Sequence, residues 1–154
     1  MIEWSPAVSV ETVKAALPSV SEAVPIAVAP SVKATASNVY QKREDSYGPG
    51  MAFDNDPHTR WATDAGTQQA WIAADFGKPI TIQRARIEEA YPGRVKRFEF
   101  QRREGAEWKT LFTGTTLGQW FQQKFDPVTT REIRLNILEA SEGPTIADIE
   151  VFEK

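Results

Sequence analysis

Gly48-Pro49-Gly50-Met51-Ala52-Phe53-Asp54-Asn55-Asp56-Pro57-His58-Thr59-Arg60-Trp61 interrupts an otherwise regular succession of short apolar runs. Asp54, Asp56 and Thr59 put two carboxylates and a hydroxyl within six residues, in a loop that Pro57 breaks. Calcium takes roughly six to eight hard oxygen ligands and accepts backbone carbonyls readily, and a tight acidic loop offers both kinds. Two like charges this close repel unless they are solvated or bridged by a cation. The spacing is not that of an EF-hand, which needs a glycine at its sixth position and a glutamate at its twelfth. On its own the pattern fits a solvated turn stabilised by its own side chains better than an ion site.

Outward from this loop, the chain from Lys33 onward reads as β-structure. Runs rich in β-branched and aromatic residues alternate with turn signals. They predict strands over 33–39, 70–76, 80–89, 95–103, 107–113, 120–125, 131–138 and 145–152. Ile133, Leu135 and Ile137 alternate with Arg134 and Asn136, and Ala147, Ile149 and Val151 repeat the pattern, giving one buried and one wet face. Turns are expected at Phe76-Gly77-Lys78-Pro79, Tyr91-Pro92-Gly93, Glu104-Gly105-Ala106, Thr113-Gly114, Asp126-Pro127 and Glu142-Gly143-Pro144. About eight short strands with no βαβ rhythm predict an all-β fold, an antiparallel β-sandwich or jelly roll.

Residues 1–32 differ. Pro18, Pro25 and Pro30 punctuate a segment of Ala, Val and Ser, which excludes a continuous helix and reads as a connector or the tail of a preceding domain. The expected organisation is a connector over 1–32 and one folded module over 33–154. Met1 begins no secretory signal, because Glu3 is acidic and no basic region precedes an apolar stretch.

Bulk properties narrow the function classes. A net charge of −3 supplies no basic footprint for nucleic acid. No apolar run reaches the ~18 residues of a membrane helix. With no cysteine and a single histidine, His58, thiolate sites, histidine-built metal sites and ordinary Ser-His or Cys-His catalysis lack their parts. Carboxylates are plentiful, 21 in all, but no motif frames a pair for glycoside hydrolysis.

The segment Ala52–Trp61 resembles the signature loop of the discoidin fold, which includes coagulation-factor type C domains and family 32 carbohydrate-binding modules. Ala70-Trp71-Ile72-Ala73-Ala74-Asp75-Phe76-Gly77, Val128-Thr129-Thr130-Arg131-Glu132-Ile133-Arg134-Leu135-Asn136 and Thr145-Ile146-Ala147-Asp148-Ile149-Glu150-Val151-Phe152 resemble, in order, the next strand, the penultimate core strand and the closing strand. The resemblance covers 33–154 and implies a discoidin-like jelly roll with a structural Ca2+ joining the early loop to the last strand. Its implied ligands are the Met51 carbonyl, Asp54, Asp56 through carboxylate or carbonyl, Thr59, the Ala147 carbonyl and Asp148. The family often has glutamate where Asp148 stands.

The same resemblance implies a shallow sugar site built from loops at one end of the sandwich. Sugar recognition requires planar hydrogen-bonding forks and an aromatic face. Matching loops offer Tyr47 (with Asp45), Thr63 and Asp64, Glu89, Tyr91 and Arg94, and Glu139 and Glu142. Ala62 and Thr63 occupy the place where galactose-binding relatives often carry histidine. Among the tryptophans, Trp71 and Trp108 are expected in the core, Trp61 in the core or half-buried, and Trp120 in the core or at a rim. Ala36–Gln41, Trp61–Thr67 and Asn136–Ala140 with Gly143–Ile146 are similar to discoidin modules at the C-terminus of bacterial family 29 α-L-fucosidases. The implied role is non-catalytic binding of fucose- or galactose-bearing glycan ends beside an upstream catalytic domain, outside the cell or in the periplasm. A structural accessory domain with a degenerate sugar site, or an adhesion or membrane-surface discoidin domain, stand as alternatives. Against the latter, the loops are Glu-, Asp-, Thr- and Gly-rich.

Overall fold

The strand pattern that starts at Lys33 becomes seven antiparallel strands in the computed structural model of the protein, which describes residues 32–153. These are β1 (Lys33–Ala36), β2 (Trp61–Ala62), β3 (Ala70–Glu89), β4 (Val95–Glu104), β5 (Glu107–Gly114), β6 (Phe121–Ala140) and β7 (Thr145–Glu153). One helical turn, α1 (Glu44–Tyr47), and two 3₁₀ turns (Tyr40–Lys42 and Pro49–Ala52) lie between β1 and β2. The connector expected over 1–32 lies outside the described residues except for Val32.

The all-β antiparallel architecture matches the expectation; the strand count differs for a physical reason. Two pairs of expected strands are each one long strand with a kink. In β3 the ladder with β6 shifts between Asp75 and Ile80, where Gly77 adopts φ +83, a left-handed conformation that a side chain resists. In β6 the expected turn at Asp126-Pro127 is a bulge: Ile82 pairs with Val128 but Arg84 pairs with Lys124, so the extra β6 residues have no place opposite β3. Bulges bend a strand and increase its twist.

These kinks let β3 and β6 serve two layers. Their halves near Ile72 and Leu135 pair with each other and with β1 and β4, and β5 extends that layer. Their other halves pair with each other near Ala85, and β7 and then β2 complete the second layer. Inward residues of both layers, Ile72, Ile82, Ile87, Phe98, Phe100, Ile133, Leu135, Ile137, Ile146 and Ile149, form one buried core. Stacked and edge-on rings of Phe98, Phe100, Phe112, Phe121 and Phe125 fill one part of it, with centroids 5.2–6.5 Å apart, in the range where aromatic pairs add to burial.

Parity corrects the tryptophan assignments. Ala70, Ile72, Ala74 and Phe76 point inward, so Trp71 faces outward and is half-buried. Trp108 also lies on the outer face, between the guanidinium groups of Arg103 (4.8 Å) and Arg134 (4.6 Å). The β4–β5 ladder shifts between Phe100 and Gln101, inverting the side on which Trp108 and Phe112 project. Trp120 is 73% exposed, and Trp61 alone of the described tryptophans is fully buried, its Nε1 donating to the Asn38 carbonyl at 3.0 Å.

Candidate functional site

Four connections meet at the end of the sandwich where β2 joins β7. The first carries Tyr40 and Tyr47, the second Arg60 to Ala65, the third Tyr91 to Arg94, and the fourth Glu142 to Thr145. Together they line a cleft of about 330 Å³ whose walls include Tyr40, Tyr47, Arg60, Thr63, Tyr91, Arg94 and Glu142.

Backbone contacts set these walls. Thr63 N and Oγ1 both donate to the Pro144 carbonyl, at 3.3 and 2.8 Å. A side chain at Gly143 would place its Cβ 2.6 Å from the Asp64 carbonyl, so only glycine permits this approach of the two loops. Arg94 Nη1 donates to the Gly143 carbonyl at 2.8 Å, and Arg94 Nη2 pairs with Glu142 Oε1 at 3.3 Å. The Arg94 guanidinium lies 4.6 Å from the centroid of Tyr91, a ring that is 46% exposed. Arg60 sits between two rings, 5.3 Å from Tyr47 and 5.5 Å from Tyr91, and Tyr40 meets Tyr47 edge-on at 5.6 Å.

Tyr47, Thr63, Tyr91, Arg94 and Glu142 are thus brought together as the sequence suggested, while three other expected ligand residues are not. Glu89 has no exposed surface; it continues the inward parity of Ala85 and Ile87. Its two oxygens accept from Val95 N (3.1 Å) and Gly118 N (3.0 Å), so it pins the Tyr91–Arg94 loop from beneath. Glu139 belongs to β6, not to a loop. It lies opposite Arg97, 3.7 Å from it, and lines a separate groove with Gln68 and Gln69. Asp64 Oδ1 is taken by Gln41 N at 2.7 Å, outside the cleft wall. The sequence reading missed Arg60 and Tyr40. Arg60 was absorbed into the acidic-loop motif, and nothing local in the sequence marks its contacts with Tyr47 and Tyr91.

The acidic loop forms a second constellation. Thr59 Oγ1 lies 3.1 Å from the Met51 carbonyl, 2.6 Å from Asp54 Oδ2 and 3.1 Å from the Asp56 carbonyl. One hydroxyl proton cannot serve three acceptors, so the loop concentrates more oxygen than its own donors satisfy. Asn55 takes φ +58, a left-handed turn asparagine tolerates. Asp56 presents its carbonyl to Thr59 Oγ1, while its Oδ1 accepts from His58 N at 2.9 Å. Asn55 and Pro57 share a groove with Asp148, Arg86, Glu88 and Glu150. Pro57 and Thr59 share another with Ala147. The β3–β7 register pairs Glu88 with Asp148 but Glu89 with Ile146, leaving Ala147 as a bulge residue beside the loop. Asp148 is buried, and its Oδ1 has no hydrogen-bond partner. Among the described residues no three carboxylate or imidazole side chains gather as a metal cluster. The donors are mixed, chiefly carbonyl and hydroxyl oxygens, which suits a hard cation such as calcium.

Residues 33–152 match the F5/8 type C domain model. The chain belongs to the F5/8 type C, or discoidin, family. Its fold is similar to chitosan-binding module 1 of a chitosanase/glucanase from Paenibacillus sp. IK-5 (23% identity, 84% of this chain and 98% of that one, TM-score 0.75). It is also similar to a GH29 fucosidase of Ruminococcus gnavus solved with fucose (25% identity, 85% of this chain, TM-score 0.74), of which it spans only 27%. A third similar structure is CpGH89CBM32-5 from Clostridium perfringens, in complex with GalNAc-β-1,3-galactose (19% identity, 84% of this chain and 99% of that one, TM-score 0.72). Among curated proteins none matches the chain. The discoidin fold expected from the four sequence motifs is therefore the fold of this chain.

Proposed function

We propose that the chain is a non-catalytic, calcium-stabilised carbohydrate-binding module that recognises a terminal sugar, beside the catalytic domain of a secreted glycoside hydrolase such as an α-L-fucosidase. The observation that carries this reading is the loop-built cleft in which the exposed Tyr91 ring stands beside the Arg94–Glu142 pair. An aromatic ring serves the apolar side of a pyranose, and a guanidinium–carboxylate pair serves adjacent hydroxyls. A cleft this open and shallow buries little ligand, so affinities in the high micromolar to millimolar range are expected.

Calcium fits the oxygens around Thr59, with Met51, Asp54 and Asp56 on the loop and Ala147 and Asp148 on β7. When bound it would supply positive charge between two segments distant in sequence and stabilise the fold by mass action; none of these residues lines the cleft. The neighbouring structures with fucose and with GalNAc-β-1,3-galactose support terminal fucose or galactose as the first ligands to try. A glycan array with fucosylated and galactosylated ends, followed by titration calorimetry, tests the reading. Binding that is lost in Arg94→Lys, which keeps the charge and removes the planar fork, would support it. If no sugar binds at millimolar concentration, the chain is a structural accessory domain.

A further inference from the structure

Arg60 is the charged side chain of the cleft that the sugar reading leaves unused. Its guanidinium is held between Tyr47 and Tyr91. It is half-buried, and no described residue accepts a hydrogen bond from it or pairs with it as an ion. Arg94, by contrast, is engaged with Glu142 and the Gly143 carbonyl. The charged residues lining the cleft are Arg60, Arg94 and Glu142, so two positive charges face one negative charge. The Arg43 guanidinium, 5.5 Å from Tyr47, adds positive charge at the edge.

Ring faces orient a guanidinium without consuming its N–H groups. Arg60 is therefore fixed in place with its donors unspent, and holding it so in the free protein lowers the ordering cost of binding. A planar fork of this kind matches a carboxylate or sulfate in two parallel hydrogen bonds, and matches a lone hydroxyl poorly. We infer that the cleft selects a terminal sugar bearing an anionic substituent, a uronate carboxylate or a sulfate ester, with Arg60 as the residue that reads the charge. This rests on the cleft being a sugar site. It also separates the chain from its chitosan-binding structural neighbour, because a cationic glucosamine would meet an excess of positive charge.

The test compares methyl galactoside, methyl galacturonide, the methyl ester of that galacturonide and methyl galactoside 6-sulfate by calorimetry on the full chain. At low salt the carboxylate or the sulfate should bind about tenfold more tightly than the neutral galactoside, the scale of one added charge-assisted contact. The two charged probes show which anion fits. The ester should fall back to the neutral value, and about 1 M NaCl should erase the advantage by screening. Arg60→Gln should collapse the charged-to-neutral ratio towards one, with a thermal melt checking that the variant folds. Should it not fold, the acid–ester comparison on the unaltered chain still decides. If neutral sugars bind as tightly as both charged probes, the inference is overturned and the sugar reading stands. If no sugar of either kind binds, both fall.

Discussion

Arg86 Nη1 donates to Asp148 Oδ2 across 2.9 Å, and the other oxygen of that buried carboxylate has no partner. The same guanidinium lies 3.8 Å from Glu150 and 3.9 Å from Glu88, so one cation serves three carboxylates beside the acidic loop. Burial raises the Asp148 carboxyl from 3.8 to about 7, helped by the charge of Glu150 and opposed by Arg86. A folded-state value above the unfolded one means that folding takes up a proton. Stability in a chelator should therefore be highest below about pH 4 as far as this group is concerned, and fall as pH rises to about 7, by on the order of 2–4 kcal/mol. Asp148→Asn should flatten that slope in urea titrations at a series of pH values. A wild-type slope rising over this window would mean that another group dominates.

Calcium should act on the same window from the opposite side, by holding the carboxylate form. At an ion concentration about a hundredfold above the dissociation constant, the stabilisation is about 2.7 kcal/mol, a rise in Tm of several degrees for a domain of this size. Asp54→Ala should lower Tm and abolish the calcium response, because Asp54 Oδ2 is the carboxylate oxygen nearest Thr59 Oγ1. Differential scanning calorimetry with and without chelator reads both effects. A Tm indifferent to calcium in the unaltered chain would remove the ion from the account.

The fold was legible in the sequence because it depends on short-range patterns, whereas most of the cleft was legible only through the resemblance of its loops to those of the discoidin family. Alternation at Ile133, Leu135 and Ile137 specifies one face of β6, and Tyr47, Thr63, Arg94 and Glu142 follow from matching the connecting loops to the family's. Strand continuity was not legible: Gly77-Lys78-Pro79 and Asp126-Pro127 look like turns, and only pairing on both sides makes them kinks within β3 and β6. Glu89 shows the complementary failure. Its charge suggested a loop ligand, whereas its place two residues after Ile87 in β3 assigned it to the core. Arg60 could not be singled out, since the two tyrosines that hold it come from segments far from each other in sequence.

Gly143→Ala tests whether the cleft walls depend on close backbone approach. The added Cβ would meet the Asp64 carbonyl at 2.6 Å and Thr63 Oγ1 at 3.0 Å; the first is held by Thr67 N and the second by the Pro144 carbonyl, just after the β2–β7 pairing. The two loops must separate, at about 1–3 kcal/mol for an overpacked contact. Tm should fall by several degrees and sugar affinity by tenfold or more, because the Arg94 acceptor at Gly143 moves with the loop. Gly50→Ala, where a Cβ meets nothing within 4 Å, is the matched control and should change neither. Affinity unchanged in Gly143→Ala would show that the walls are set elsewhere.

Glu89 separates a support role from a ligand role. Both of its oxygens accept backbone N–H groups, from Val95 at the start of β4 and from Gly118 before β6, with no surface left for a sugar. Glu89→Gln keeps the shape but retains only one acceptor oxygen, so one of the two buried N–H groups loses its partner. Such a loss costs about 1–3 kcal/mol, and Glu89→Ala should cost more. The urea midpoint should drop in both variants. Affinity should weaken only in proportion to the loosening of the Tyr91–Arg94 loop that Glu89 pins, and should recover on cooling or in an uncharged stabilising osmolyte such as TMAO. A ligand residue would behave the other way, with affinity lost at every temperature and the urea midpoint unmoved; that outcome would return Glu89 to the sugar site and require the loop above it to open.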